Sequence, residues 1–212
     1  MTPELENQLI AILNENIIKD DPSHDIQHVL RVLKNAKMIA EKEGADLEIV
    51  IPAALFHDFI TYPKNDSRNK FAVIESADEA EKILTKLDNY PQEKIEFVKQ
   101  AIKCTSFSYG QKTSTLEDMV VKDADMLEMT GAIAIMRTFA STGKMNRPFY
   151  DPNDPFAKNR SLDALNYAVD LFYTRLLKVM DEMSTETARK MAKQRTEFLN
   201  VFLQELKEEI GE

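Results

Sequence analysis

The sequence predicts an all-α protein, a single-domain helical bundle spanning residues 1–212, on three observations. Apolar residues recur three and four apart along nearly the whole chain. Glycine and proline are sparse, five and eight in 212 residues, which disfavours a turn-rich β-sandwich. No alternating run of strand length is bounded by hairpin turns. With 43% apolar and 30% charged residues the chain has the composition of a globular protein rather than a disordered one.

The helices follow in order. Leu9, Ile12, Leu13 and Ile17 mark the first, which Pro3 suits at its opening turn. Val29, Val32, Leu33, Ala36, Ile39 and Ala40 mark the second, with Gly44 as its stop. A third is expected over 47–59, kinked or started late because Pro52 removes a backbone donor. Further helices are expected over 76–88, 91–103 with Pro91 in the first turn, 116–140, 161–182 and 186–209. Two segments break the pattern: residues 60–75, rich in turn formers, and residues 141–160, a long loop carrying basic and aromatic side chains.

Several classes of function are disfavoured. The longest apolar stretch, residues 49–56, is far short of the roughly 20 needed to cross a bilayer, so no membrane span is expected. The acidic N-terminus lacks the basic start and apolar core of a secretory signal. One cysteine, Cys104, cannot form an internal disulfide, and a cytoplasmic location is expected. A net charge of −9 argues against a nucleic-acid partner, whereas a small anion can still meet a local basic patch.

The three histidines, His24, His28 and His57, all fall in the first third of the chain. His57 is followed at once by Asp58 after the apolar run Ala53-Ala54-Leu55-Phe56, and Asp123-Ala124-Asp125 adds acids further on. A divalent metal needs several electron donors converging on one point, and imidazole with carboxylate suits Mn, Fe, Co, Ni or Zn. Taken singly, a histidine is usually a surface or core residue and an aspartate near a helix start is usually a cap. The order of the four groups carries the signal.

That order, His28, then His57-Asp58, then Asp125, resembles the HD superfamily of metal-dependent phosphohydrolases. The stretch from Ser23 to Val32 is similar to the branch whose first motif is His-Asp-x-x-His-x-x-Arg-Val, read here as His24-Asp25-Ile26-Gln27-His28-Val29-Leu30-Arg31-Val32. Ala53 to Asp58 and Val121 to Glu128 match the second and third motifs, and Ser76-Ala77, Ser106-Phe107-Ser108, Gly131-Ala132-Ile133, Arg137-Thr138-Phe139 and Leu176-Leu177 extend the likeness over about 20–205. The resemblance implies a metal-binding core of about 24–130 with a helical extension over 131–212. It implies that His28, His57, Asp58 and Asp125 ligate a divalent ion (Mn, Mg, Fe, Co, Ni or Zn), with Asp123 the rival of Asp125 because residues two apart cannot share a helical face. Thr105 stands where similar sequences carry a histidine before Ser-Phe-Ser, which removes a candidate donor for a second metal.

The activity so implied is hydrolysis of a phosphate ester, of a nucleotide or another small molecule, by a metal-activated water. The alternative is a nucleotide-binding regulator with little or no turnover. His24 or Asp25 is a candidate to steady the ligands or transfer a proton. Lys64, Arg68 and Lys122, together with Arg147, Lys158 and Arg160 of the late loop, are candidates for the phosphate, arginine as a planar fork and lysine as a point charge. The late loop, with Phe149, Tyr150 and Phe156, is expected to act as a lid.

Overall fold

In the computed structural model, which describes residues 1–16, 25–62, 66–106 and 109–212, the described residues form nine α-helices and four 3-10 turns and contain no strand. The all-α expectation is met. The chain divides into two compact units, Met1–Asp125 and Met126–Glu212. No helix among the described residues is long and apolar enough to cross a membrane.

In the first unit, α1 (Pro3–Asn16) buries Leu5, Leu9 and Leu13. Ile17 lies outside the described residues. α2 (Ile26–Glu43) is capped by Asp25 and stopped by Gly44, whose φ of 83° is the left-handed conformation glycine adopts freely. α3 (Leu47–Phe56) is the centre of the unit: every residue from Ile49 to Phe56 is buried, and it packs against α1, α2, α4 (Ala72–Leu84) and α5 (Ile95–Lys103). Such an all-round apolar helix is stable only where other helices cover it.

Pro52 sits inside α3 without ending it. A proline there cannot donate to the carbonyl of Glu48, four residues back. The hydroxyl of Tyr90, from beyond α4, donates to that carbonyl instead, at 2.7 Å. α6 (Leu116–Met126) closes the unit, and Glu117 at its start accepts the backbone N–H of Asp46 at 3.0 Å.

Helix boundaries depart from expectation where side chains compete with the backbone. A 3-10 turn over Ser67–Phe71, capped by Asp66, leads straight into α4, so helix begins within the segment expected to be a loop. α5 is likewise preceded by a 3-10 turn, Gln92–Lys94, behind Pro91.

The single helix expected over 116–140 is two. α6 gives way to a 3-10 turn, Leu127–Met129, and in the second unit α7 (Gly131–Lys144) starts afresh after an extended Thr130. Gly131 has φ 66°, and a Cβ there would lie 3.2 Å from Cβ of Arg195, so both backbone and space require glycine.

The helix expected over 161–182 is also broken. Asp163 accepts the N–H groups of Leu165 and Asn166 at 3.2 Å, an aspartate turn that competes with helix, and α8 spans only Ala168–Thr174 before a 3-10 run, Leu176–Glu182. α9 (Glu186–Glu209) is capped by Thr185. Phe172 of α8, Leu199 and Leu203 of α9 and Ala134 of α7 form the core of this unit.

Candidate metal centre

Three helix ends of the first unit supply the site. Asp25 accepts the N–H of His28 at 2.9 Å, which fixes the first turn of α2 and sets His28 on the face that also buries Val29, Val32 and Leu33. His57 caps the C-terminal end of α3, and its Nδ1 lies 2.8 Å from the carbonyl of Ala54, one turn earlier. A carbonyl can only accept, so Nδ1 carries the proton and Nε2 of the neutral ring presents a lone pair. Asp58 follows, and Asp125 lies in the last turn of α6.

These four side chains converge. Nε2 of His57 is 3.3 Å from Nε2 of His28. Oδ2 of Asp58 lies 3.5 Å from the His28 nitrogen and 3.6 Å from that of His57. Oδ1 of Asp125 lies 3.6 and 3.8 Å from the same two atoms. Ligand atoms of His28, His57 and Asp125 all fall within 4.8 Å of one another. Both imidazoles are buried, while the carboxylates of Asp58 and Asp125 are 27% and 25% exposed, so the cluster opens to solvent on its acidic side.

This donor set fits a divalent cation. Ligands about 2.1 Å from one ion, at the angles of a tetrahedron or octahedron, stand about 3.0–3.4 Å apart, and the shorter separations here fall at that spacing. The C-terminal ends of α3 and α6 bring partial negative charge to the same place. Imidazole nitrogens and carboxylate oxygens together suit a borderline transition ion.

The other sequence candidates are placed as follows. His24 and Lys64 lie outside the described residues. Asp123 is fully buried, two positions before Asp125 and so on another side of α6. The Arg68 guanidinium grips both oxygens of Asp66 and stacks 4.3 Å over the ring of Tyr62; this holds the Asp66 carboxyl down to about 2. Lys122, half-buried on α6, is near enough to Cys104 to oppose part of the rise that burial causes in the thiol pKa.

In the second unit Arg160 makes a two-pronged pair with the buried carboxylate of Asp170, at 2.5 and 2.8 Å, and Lys158 reaches Glu212 at 2.6 Å. Arg147 donates to the carbonyl of Ala164 and to Thr142, and its buried Nε has no partner among the described residues.

Sequence reasoning missed Tyr90, which serves α3 at Glu48, and Ser76 and Glu75 of α4, which bond to Ile60 and Tyr62 just beyond Asp58. Ser76 had surfaced only within a stretch of family likeness. Tyr90 gave no signal, because its task is created by Pro52, far from it in sequence.

An HD-domain profile matches residues 25–130, half of the chain, and the protein belongs to the HD superfamily. Its relatives include the uncharacterised protein YpgQ of Bacillus subtilis strain 168, 30% identical over 210 residues that cover 92% of this chain and 89% of YpgQ. The crystal structure of B. subtilis YpgQ in complex with ADP superposes with a TM-score of 0.73 at 30% identity, over 97% of each chain. An HD-superfamily hydrolase of Bacillus thuringiensis gives a TM-score of 0.71 at 30% identity, over 97% of this chain and 96% of that one.

Proposed function

We propose that this protein is a metal-dependent phosphohydrolase that cleaves a phosphate ester of a nucleotide or another small molecule. The observation that carries the reading is the convergence of two imidazole nitrogens and two carboxylate oxygens at 3.3–3.8 Å. In this reading His28, His57, Asp58 and Asp125 hold the ion. Bound there, a divalent ion lowers the pKa of water from about 15.7 toward about 7 and polarises a phosphoryl oxygen. The likeness to a protein crystallised with ADP supports a nucleotide as the phosphorylated molecule.

The chain's own groups divide the remaining work. The Ala54 carbonyl keeps His57 in the tautomer that offers Nε2. Asp58, partly open to solvent, would both ligate the ion and orient the attacking water by accepting its hydrogen bond. Asp25 holds the backbone of His28. Lys64 and Lys122 are the proposed phosphate contacts of the first unit, and Arg68 would have to share its guanidinium with Asp66 to join them. Of the late-loop residues, Lys158 and Arg160 are paired with carboxylates, and Arg147 keeps a charge with no carboxylate partner among the described residues. Arg147 is therefore the loop's proposed anion contact.

The test is a screen of the purified protein, with Mn, Mg, Fe, Co, Ni or Zn added in turn, against a panel of nucleotides and other phosphate esters. The expected result is metal-dependent phosphate or pyrophosphate release that stops on chelation and in Asp58→Ala. Nucleotide binding without turnover under every metal would replace this reading with that of a regulatory protein.

A further inference from the structure

We propose that Ser76 is a positioning residue for the carboxylate of Asp58, an inference that rests on the metal-site reading above. Serine is a poor residue for a helix interior and usually turns its hydroxyl back onto its own helix. Ser76 is fully buried in α4 and is bonded away from it. Its Oγ accepts the N–H of Ile60 at 2.9 Å, and the same hydroxyl faces the carbonyl of Ile60 at 3.4 Å. One side chain thus holds both polar groups of the residue two beyond Asp58.

The neighbouring residue continues the grip. Glu75 accepts the hydroxyl of Tyr62 at 2.6 Å, so consecutive residues of α4 hold positions 60 and 62. On the other side, the N–H of Phe59 donates to the carbonyl of Phe56 at 3.2 Å, and His57 is tied to Ala54. The turn carrying Asp58 is therefore fastened to α3 before it and to α4 after it. α4 contributes none of the four proposed ligands. The carboxylate of Asp58 is carried on this turn, so the backbone of the turn sets the direction from which its oxygen reaches His28 and His57. Ser76 supplies the buried hydrogen bonds that fix that backbone.

The experiment is calorimetric titration of Mn2+ into metal-free wild type, Ser76→Ala, Ser76→Cys and Tyr90→Phe, with the Tm of each measured alongside. Tyr90→Phe is the control, because it weakens α3 near its opposite end, at Glu48. Both Ser76 variants are expected to raise the Kd for Mn2+ about tenfold, the scale seen when the hydrogen-bonded support of a ligand is removed. Tyr90→Phe is expected to lower Tm while leaving Kd within about twofold.

Should Ser76→Ala fail to fold, Ser76→Cys, which keeps the volume and loses the strong hydrogen bond, carries the test. Wild-type affinity in the Ser76 variants, or an equal loss in Tyr90→Phe, overturns the proposal alone. Failure of both variants to fold also overturns it, since the hydroxyl would then serve the fold and not the carboxylate. A wild type that binds no Mn2+ overturns the metal-site reading and this inference with it.

Discussion

The two units treat buried polar groups in opposite ways. In the second unit a donor meets its acceptor: the guanidinium of Arg160 closes on the carboxylate of Asp170, which also accepts the N–H of Asp163. In the first, two ring nitrogens and two carboxylate oxygens crowd together across 3.3–3.8 Å, all of them atoms able to ligate a cation. The Arg160–Asp170 pair matches a cation to a buried anion within the fold itself. In the metal-site reading a cation completes the histidine and aspartate cluster, and such a concentration of ligating atoms is the mark of a functional site.

Substitutions can sharpen or break that contrast. Arg160→Ala should have the largest effect on stability, about 3 kcal/mol, because it strands the Asp170 carboxylate, which has no exposure, without its cation. Thermal or urea unfolding checks this, and a loss under about 1 kcal/mol would mean the pair is decorative. Tyr90→Phe should cost about 1–2 kcal/mol, since the Glu48 carbonyl that Pro52 cannot serve loses its replacement donor. Asp125→Asn should change the stability of the metal-free protein by less than about 1 kcal/mol, because a carboxylate among acceptors gives up little when it is neutralised. A loss as large as that of Arg160→Ala would show that the cluster is already balanced and would dissolve the contrast.

A smaller effect appears only in alkali. Burial, with the negative charge of Asp118, pushes the Cys104 thiol from 9.0 up to about 12. Between those values the unfolded chain releases the thiol proton while the folded chain keeps it, so this group makes stability fall as pH rises through that window and contributes no slope below it. The stability difference between wild type and Cys104→Ala should therefore be flat up to about pH 9 and narrow above it. A difference that stays constant to pH 12 would contradict the assignment.

Much of the site was legible in the sequence because helix ends announce themselves. Asp25 before an apolar periodic run and His57-Asp58 closing another mark those ends by spacing, and the resemblance to the HD superfamily joins them into one site. The choice between Asp123 and Asp125 was less legible: spacing says the two diverge, but only packing says which of them turns toward His28 and His57. The late loop was only partly legible for a related reason. Spacing gives no partner for Arg147, Lys158 or Arg160, whereas Arg160 and Lys158 are paired with Asp170 and Glu212, partners 10 and 54 residues away. Helix breaks at Thr130-Gly131 and Asp163 were hidden because periodicity continues across them. Their causes are a close approach by Arg195 and an aspartate turn.

The central claim is that the first unit's four convergent donors form a divalent metal site. Elemental analysis tests it most directly, on wild type, His57→Ala, Asp125→Asn and Asp123→Asn, each incubated with Mn2+ and then freed of unbound ion by gel filtration. The account predicts bound metal in the wild type and in Asp123→Asn, and loss of most of it in His57→Ala and Asp125→Asn while both keep their helical circular dichroism. Full metal content in both of those variants, or loss in Asp123→Asn alone, would contradict it.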